Sequence, residues 1–227
     1  MNFFDYGLLK SFVQTFTCPE PVVEIGSLLV DDSMKGFDVK SLFPVQRFFG
    51  IDLRGGPRVD IRGDIEGLPF PPHSIGTLLC FDTIEHVWDV HAAFLEVHRV
   101  LKKDGVAVIA SVFNFKIHNY PHDFWRFTPE ALDRFTRAFP YKIFGYQGYR
   151  KRPRHVFVIA FGEKYRFQDF KKQIEDFERL MQVEAIRKFS AFDRGRHYFA
   201  GLFSRGPLMD FKYYNNISIY TKTNPRS

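Results

Sequence analysis

The sequence predicts a doubly wound α/β domain on a mostly parallel sheet of seven strands, followed by a helical C-terminal extension. Three observations carry that expectation. Short apolar runs bounded by Gly, Pro and Asp recur through the first 161 residues, as strands covered on both faces require. Amphipathic stretches with three-and-four spacing alternate with them. Beyond Phe161 the pattern changes to a charged helix, so residues 1–162 are read as one domain and 163–227 as an extension packed on it.

Taken in order, residues 3–16 carry Leu9, Phe12, Val13 and Phe16 at helical spacing, with Pro19 and Pro21 beyond the helix end. The run from Pro21 to Gly26 is a short buried strand. A second strand spans Arg47–Leu53, a third surrounds Val59–Ile61, and a fourth runs from Gly76 to Asp82. The second and third are too close for a crossover helix, so an irregular connection joins them. Val90, Phe94, Val97 and Leu101 form one apolar stripe; Asp89 caps that helix, Lys102 and Lys103 suit its negative end, and Gly105 stops it. Val106–Phe113 is the fifth strand. Thr128-Pro129-Glu130 opens another helix with Leu132, Phe135 and Phe139 inward. Tyr141–Tyr146 and His155–Phe161 complete the seven. Phe167, Phe170, Ile174, Phe177 and Met181 step along a further helix, which packs on the domain or serves a homodimer, and Asn216–Thr221 has the pattern of a further strand.

Composition bounds the function. The 227 residues suffice for one core, and 45% apolar against 26% charged excludes a disordered chain. With 28 Phe and 10 Tyr, most rings must be core. The net charge of +6 permits an anionic partner, but the only dense basic run, Tyr149–His155, reads as a solvated turn between two strands. Cys18 and Cys80 give neither a disulfide framework nor a metal pattern, and Cys80 packs as a small hydrophobe. No secretory segment is visible, and no apolar run approaches the ~20 residues of a membrane span, so the cytoplasm is the expected location.

Ligands of such sheets sit beyond the carboxyl ends of the strands. There the chain offers Glu24-Ile25-Gly26-Ser27 after the first strand and Asp52 after the second. It offers Gly63-Asp64-Ile65-Glu66 after the third and Asp82-Thr83-Ile84-Glu85-His86 after the fourth. Asp52 is placed to accept ribose hydroxyls, of NAD or of an adenosyl ligand. A dinucleotide needs a glycine-rich turn for its pyrophosphate, and the turn here is Gly26-Ser27-Leu28-Leu29. Converging acids also suit a ligand with a sulfonium and an ammonium and would repel a pyrophosphate.

Four segments, VVEIGS (22–27), FGIDLR (49–54), GDIEGLPFPPHSIGTLLCFDTIEHV (63–87) and FLEVHRVLKKDGVAVIAS (94–111), resemble the class I S-adenosylmethionine-dependent methyltransferases, especially their type 11 branch. Order and spacing together are the specific part. The resemblance implies a Rossmann-like methyltransferase fold and S-adenosylmethionine as cofactor. It implies that Glu24 and Gly26, with Ser27 beside them, lie under the methionine part. Asp52 would hold the ribose and Leu53 the adenine; Asp64 would take the adenine amino group, with Ile65 on the ring. Asp82 and Thr83 would line the methionine end. One departure stands out: Ser27 and Leu28 replace the later glycines of the family's first loop, so either that loop runs differently or cofactor binding is weakened or lost. The stretch Asn114–Glu130 is similar to that of a subset of such enzymes associated with glycan or cell-surface biosynthesis.

Methyl transfer needs alignment of donor and acceptor, exclusion of water and, for a hydroxyl acceptor, a base. His86, His118, His122 and Asp123 are the candidates. The loop Phe113–Phe127 should overhang the cleft, and Tyr120, Trp125 and Arg126 are its expected acceptor contacts. Asp82, Glu85 and His86 are similar in spacing to the acid-acid-His group with which some quinone-pathway O-methyltransferases hold a metal, and His118 and His122 are spaced like ligands across Pro121; the expectation nonetheless is no metal. The expected function is methyl transfer to a small-molecule or glycan-type acceptor. Alternatives are a nucleic-acid methyltransferase, ranked lower for want of a base-amino-methylation signature, a non-catalytic relative, and, last, an NAD enzyme.

Overall fold

A computed structural model describes residues 2–30, 35–118, 121–186 and 211–223. Its sheet has the order β3-β2-β1-β4-β5-β7-β6-β8. The strands are β1 (Val22–Ile25), β2 (Phe48–Asp52), β3 (Ile61–Arg62), β4 (Ile75–Phe81), β5 (Leu101–Val112), β6 (Tyr141–Tyr149), β7 (Arg152–Phe161) and β8 (Ile217–Thr223). The first five are mutually parallel, and β7, β6 and β8 pair antiparallel. The seven expected strands are present, and the stretch read as a further strand adds an eighth on the edge of β6. Strand order reverses between β1 and β4, so the crevice beyond their carboxyl ends is where a ligand should sit.

Helix α1 (Phe3–Thr15) forms because Leu8, Leu9 and Phe12 share a face that the sheet buries, and because Asn2 accepts from the amides of Phe4 and Asp5. Each such side chain, once buried, contributes about 1.5–3 kcal/mol. Helix α4 (Phe170–Glu184) lies against α1: Lys10 Nζ reaches Glu184 at 3.1 Å, and a Cβ on Gly7 would stand 2.5 Å from the Glu184 carbonyl, so only glycine lets the two approach. Many of the phenylalanines the composition assigned to the core lie on this side: Phe4, Phe12, Phe16, Phe43, Phe48, Phe81, Phe157, Phe161 and Phe177 pack as one layer. Helices α2 (Val90–Val100) and α3 (Pro129–Phe135) cover the other face. Thr128 caps α3 through the Ala131 amide at 3.1 Å.

The expected end of α2 is corrected. The helix stops at Val100, because Leu101 turns extended and pairs with Ile75. Lys102, Lys103 and Gly105 therefore belong to β5. Ladder hydrogen bonds to β4 outcompete the continuation of a helix whose apolar stripe ran through Leu101. The basic run 149–155 is also mostly strand, with only Arg150 and Lys151 in the turn.

One buried cation links the layers. Lys142 on β6 is 1% exposed, and its ammonium lies 2.5 Å from Asp133 on α3; Lys222 on β8 reaches the other oxygen of Asp133. Burial opposes the charge on Asp133, but the two lysines outweigh it and hold the carboxyl below its ordinary range. The short helix α5 (Phe211–Asn215) leads into β8. No helix among the described residues is long and apolar enough to cross a membrane.

Candidate functional site

Beyond the carboxyl ends of β1, β2 and β4 lies a cleft of about 400 Å³. Gly26, Asp52, Leu53, Asp64, Ile65, Asp82, Thr83, His86 and His118 line it, together with Leu28, Phe115, Arg154, His155 and Asn2.

Gly26 closes β1 at φ 74°, and a Cβ there would stand 2.0 Å from Thr83 Oγ1, so this position admits only glycine. The amides of Gly26 and Ser27 both donate to the Ile51 carbonyl, at 2.8 and 3.2 Å. The loop thus folds back on β2 without later glycines. The Leu28 amide donates to Asp52 Oδ2 at 3.4 Å, and the Arg54 amide to Asp52 Oδ1 at 3.0 Å. Leu28 stands on the cleft wall beside Gly56.

Asp82 follows β4 at φ 46°, a conformation uncommon for a residue with a side chain. Asn2 Nδ2 donates to its Oδ2 at 3.1 Å, and His155 Nε2 lies 3.5 Å from its Oδ1. Burial opposes ionisation of Asp82, but His155 outweighs it and holds the carboxyl well below the usual range. Asp5, fully buried beside it, moves the opposite way: burial and the Asp82 charge raise it. Glu85 is 0% exposed; Ser111 Oγ donates to its Oε2 at 2.9 Å, while Oε1 has no hydrogen-bond partner. Burial, reinforced by Asp82, pushes Glu85 up to about 8.

The Glu85 carbonyl accepts from the amides of Phe124 and Trp125, at 2.8 and 3.2 Å, and Trp125 Nε1 donates to the Val87 carbonyl at 2.8 Å. These bonds stitch the aromatic loop onto the turn after β4. His118 Nδ1 lies 3.0 Å from Asp123 Oδ2, and Arg126 holds both Asp123 oxygens. The Arg126 hydrogen bonds and the His118 amide keep Asp123 well below its ordinary range. His86 Nδ1 bonds the His122 carbonyl, and the His86 and His118 rings meet edge-on at 4.8 Å. Burial lowers the His86 imidazole from its ordinary value.

The structure thus gathers nine of the sequence candidates and leaves others aside. Glu24 does not line the cleft; it shares the α1 side of the sheet with Val22, where burial raises it to about 7 against the pull of Arg58. Ser27 is buried against Gly50. The His122 ring is exposed and meets Phe124, and only its carbonyl serves the site. Asp123, Trp125 and Arg126 brace the loop rather than face the cleft. Tyr120 lies outside the described residues. Sequence reasoning missed Asn2, Asp5, Arg154 and His155. The one signal was a lone histidine heading an apolar strand, His155-Val156-Phe157-Val158.

Sheet order, cleft position and the four motif segments resemble a class I S-adenosylmethionine-dependent methyltransferase domain. The model of the family described as "Methyltransferase domain" matches residues 46–109. A probable S-adenosylmethionine-dependent methyltransferase of Mycolicibacterium smegmatis is 41% identical over 56 residues, 24% of this chain and 22% of that protein. The chain therefore aligns with about a fifth of the length of that curated relative. A solved SAM-dependent methyltransferase of Archaeoglobus fulgidus is similar in fold, with TM-score 0.51 and 12% identity over 69% of this chain and 92% of its own. The YcgJ protein of Bacillus subtilis superposes with TM-score 0.47 and 19% identity, over 84% and 88%.

The residues present fit the cofactor of that class. Asp52 and Asp64 are acceptors at the ends of adjacent strands, Leu53 and Ile65 offer apolar surface beside them, and Asp82 is an ionised acid deeper in.

Proposed function

We propose that this chain is an S-adenosylmethionine-dependent methyltransferase of the cytoplasm that acts on a small-molecule or glycan-type acceptor. The observation that carries the reading is one open cleft holding acids from three strand ends, with Leu28 on its wall and not across it. Bound S-adenosylmethionine supplies a methyl group activated by a positive sulfur. Asp52 would accept from the ribose hydroxyls, Asp64 from the adenine amino group, and Asp82 would face the methionine end. Leu53 and Ile65 would sandwich the base. For a hydroxyl acceptor, His86 and His118 are the imidazoles that line the cleft, and burial lowers His86 from its ordinary value. Phe115 supplies a ring face and Arg154 a positive charge for an acceptor bearing an acid group. Residues 1–162 would be the working domain, and 163–227 an extension that braces it through α4 and β8.

Calorimetric titration with S-adenosylhomocysteine tests the reading. Wild type should bind at micromolar concentration, and Asp52→Ala should lose at least tenfold, about 1.4 kcal/mol. Absence of binding by a folded wild-type chain would promote the non-catalytic reading.

A further inference from the structure

We propose that Glu85, His86 and His118 form a divalent-cation site on the inner wall of the cleft, suited to an ion of the manganese-to-zinc series. One donor atom from each lies within 4.8 Å of the others, and Glu85 Oε1 stands 4.0 Å from His86 Nε2. Small side-chain rotations close such distances to the ~3.3 Å that tetrahedral bonds of about 2.0 Å require.

Three features independent of mere proximity point to an ion. Glu85 is fully buried, its Oε2 is bound by Ser111, and its Oε1 is left without a hydrogen bond beside the two rings. A buried carboxylate oxygen in that position calls for a partner. Both histidines are also held as ligands are held. Their Nδ1 atoms bond oxygens that can only accept, the His122 carbonyl and the Asp123 carboxylate, so Nδ1 carries the proton and the lone pair of the neutral ring is on Nε2. Finally, Asp123 is itself gripped by Arg126, which fixes the His118 ring one shell further out. Two imidazoles and a carboxylate favour borderline ions over calcium or magnesium. Spacing alone grouped Asp82 with Glu85 and His86; in the fold Asp82 turns to Asn2 and His155, and His118 takes the third place. His86 and His118 both line the cleft, so positions left open on the ion would face the acceptor.

The test is titration of metal-stripped, tag-free chain with Co²⁺, read by visible absorption and by dialysis, without S-adenosylmethionine. One ion per chain with ligand-field bands is expected. His118→Ala and Glu85→Gln should each weaken binding at least tenfold, while His122→Ala, which keeps the carbonyl, should leave it unchanged. Asp123→Asn should weaken it by about tenfold through the His118 ring. Circular dichroism shows whether Glu85→Gln folds; if it does not, His118→Ala decides alone. No stoichiometric binding, or binding indifferent to His118→Ala, overturns the proposal. Cobalt bound by a chain that takes no S-adenosylhomocysteine would keep the ion site and sink the methyltransferase reading instead.

Discussion

Glu24 offers the cleanest electrostatic experiment in the molecule. It lies half-buried in β1, where desolvation dominates and Arg58 recovers part of the loss, so its carboxyl is pushed up to about 7 against 4.5 for an ordinary glutamate. The folded state therefore holds a proton that the unfolded chain releases. The group costs nothing below pH 4.5, its cost grows as pH rises toward 7, and it is constant above. The gap of about 2.5 units at 1.36 kcal/mol each gives about 3 kcal/mol. Glu24→Gln keeps the shape and removes the charge. The variant should match wild type at pH 4.5 and exceed it by about 3 kcal/mol at pH 8, roughly 6–12 °C in melting temperature for a chain of this size. Thermal denaturation across pH 4.5–8.5 reads the difference directly. A difference that is flat with pH, or that widens toward acid, refutes the assignment of a desolvated carboxyl at this position.

Two further outcomes follow from the packing. Gly26→Ala places a Cβ 2.0 Å from Thr83 Oγ1 in the left-handed region, which itself costs about 1–2 kcal/mol. It should lower the melting temperature and abolish S-adenosylhomocysteine binding, and adding Thr83→Ala should restore part of both; a single variant that melts like wild type defeats the argument. Lys142→Ala should cost about 2–4 kcal/mol by urea denaturation, since it opens a cavity and strips Asp133 of its buried partner. Lys222→Ala, half exposed, should cost under about 1 kcal/mol. Equal losses for the two lysines would show that burial does not separate them.

How far the sequence could be read depended on where each interaction gets its information. Asp52, Asp64 and Asp82 were legible because each ends an apolar strand run, and parallel strands deliver their carboxyl ends to one edge whatever the rest of the chain does. Glu24 was not, because β1 is apolar on both sides of the sheet, so no alternation tells which face an odd carboxylate takes. The end of α2 was misplaced because Leu101 satisfies a helical stripe and a strand ladder equally well, and only pairing with Ile75 decides between them. Asn2 and Asp5 were invisible, and His155 showed only as a lone histidine heading an apolar strand, for a stronger reason. Their partner is Asp82, 80 positions from Asn2 and 73 from His155, and nothing local to any of them records the meeting.

That meeting also explains why the turn after β4 can hold its shape. A non-glycine residue at φ 46° costs on the order of 1–3 kcal/mol, and Asp82 carries it where the chain must leave the sheet abruptly. The Asp82 amide is pinned to the Ala110 carbonyl at 3.0 Å, Asn2 and His155 grip its carboxylate, and the short 3-10 turn Ile84–His86 then drops Glu85 inward toward Ser111. The bend sets Thr83 across from Gly26 and sends His86 up beside His118. A relaxed extended residue at position 82 would carry β4 onward and leave Glu85 without its pocket. The N-terminal cap of α1, supplied by Asn2, is thus also a support of the cleft, and the stability of that helix and the geometry of the site rise and fall together.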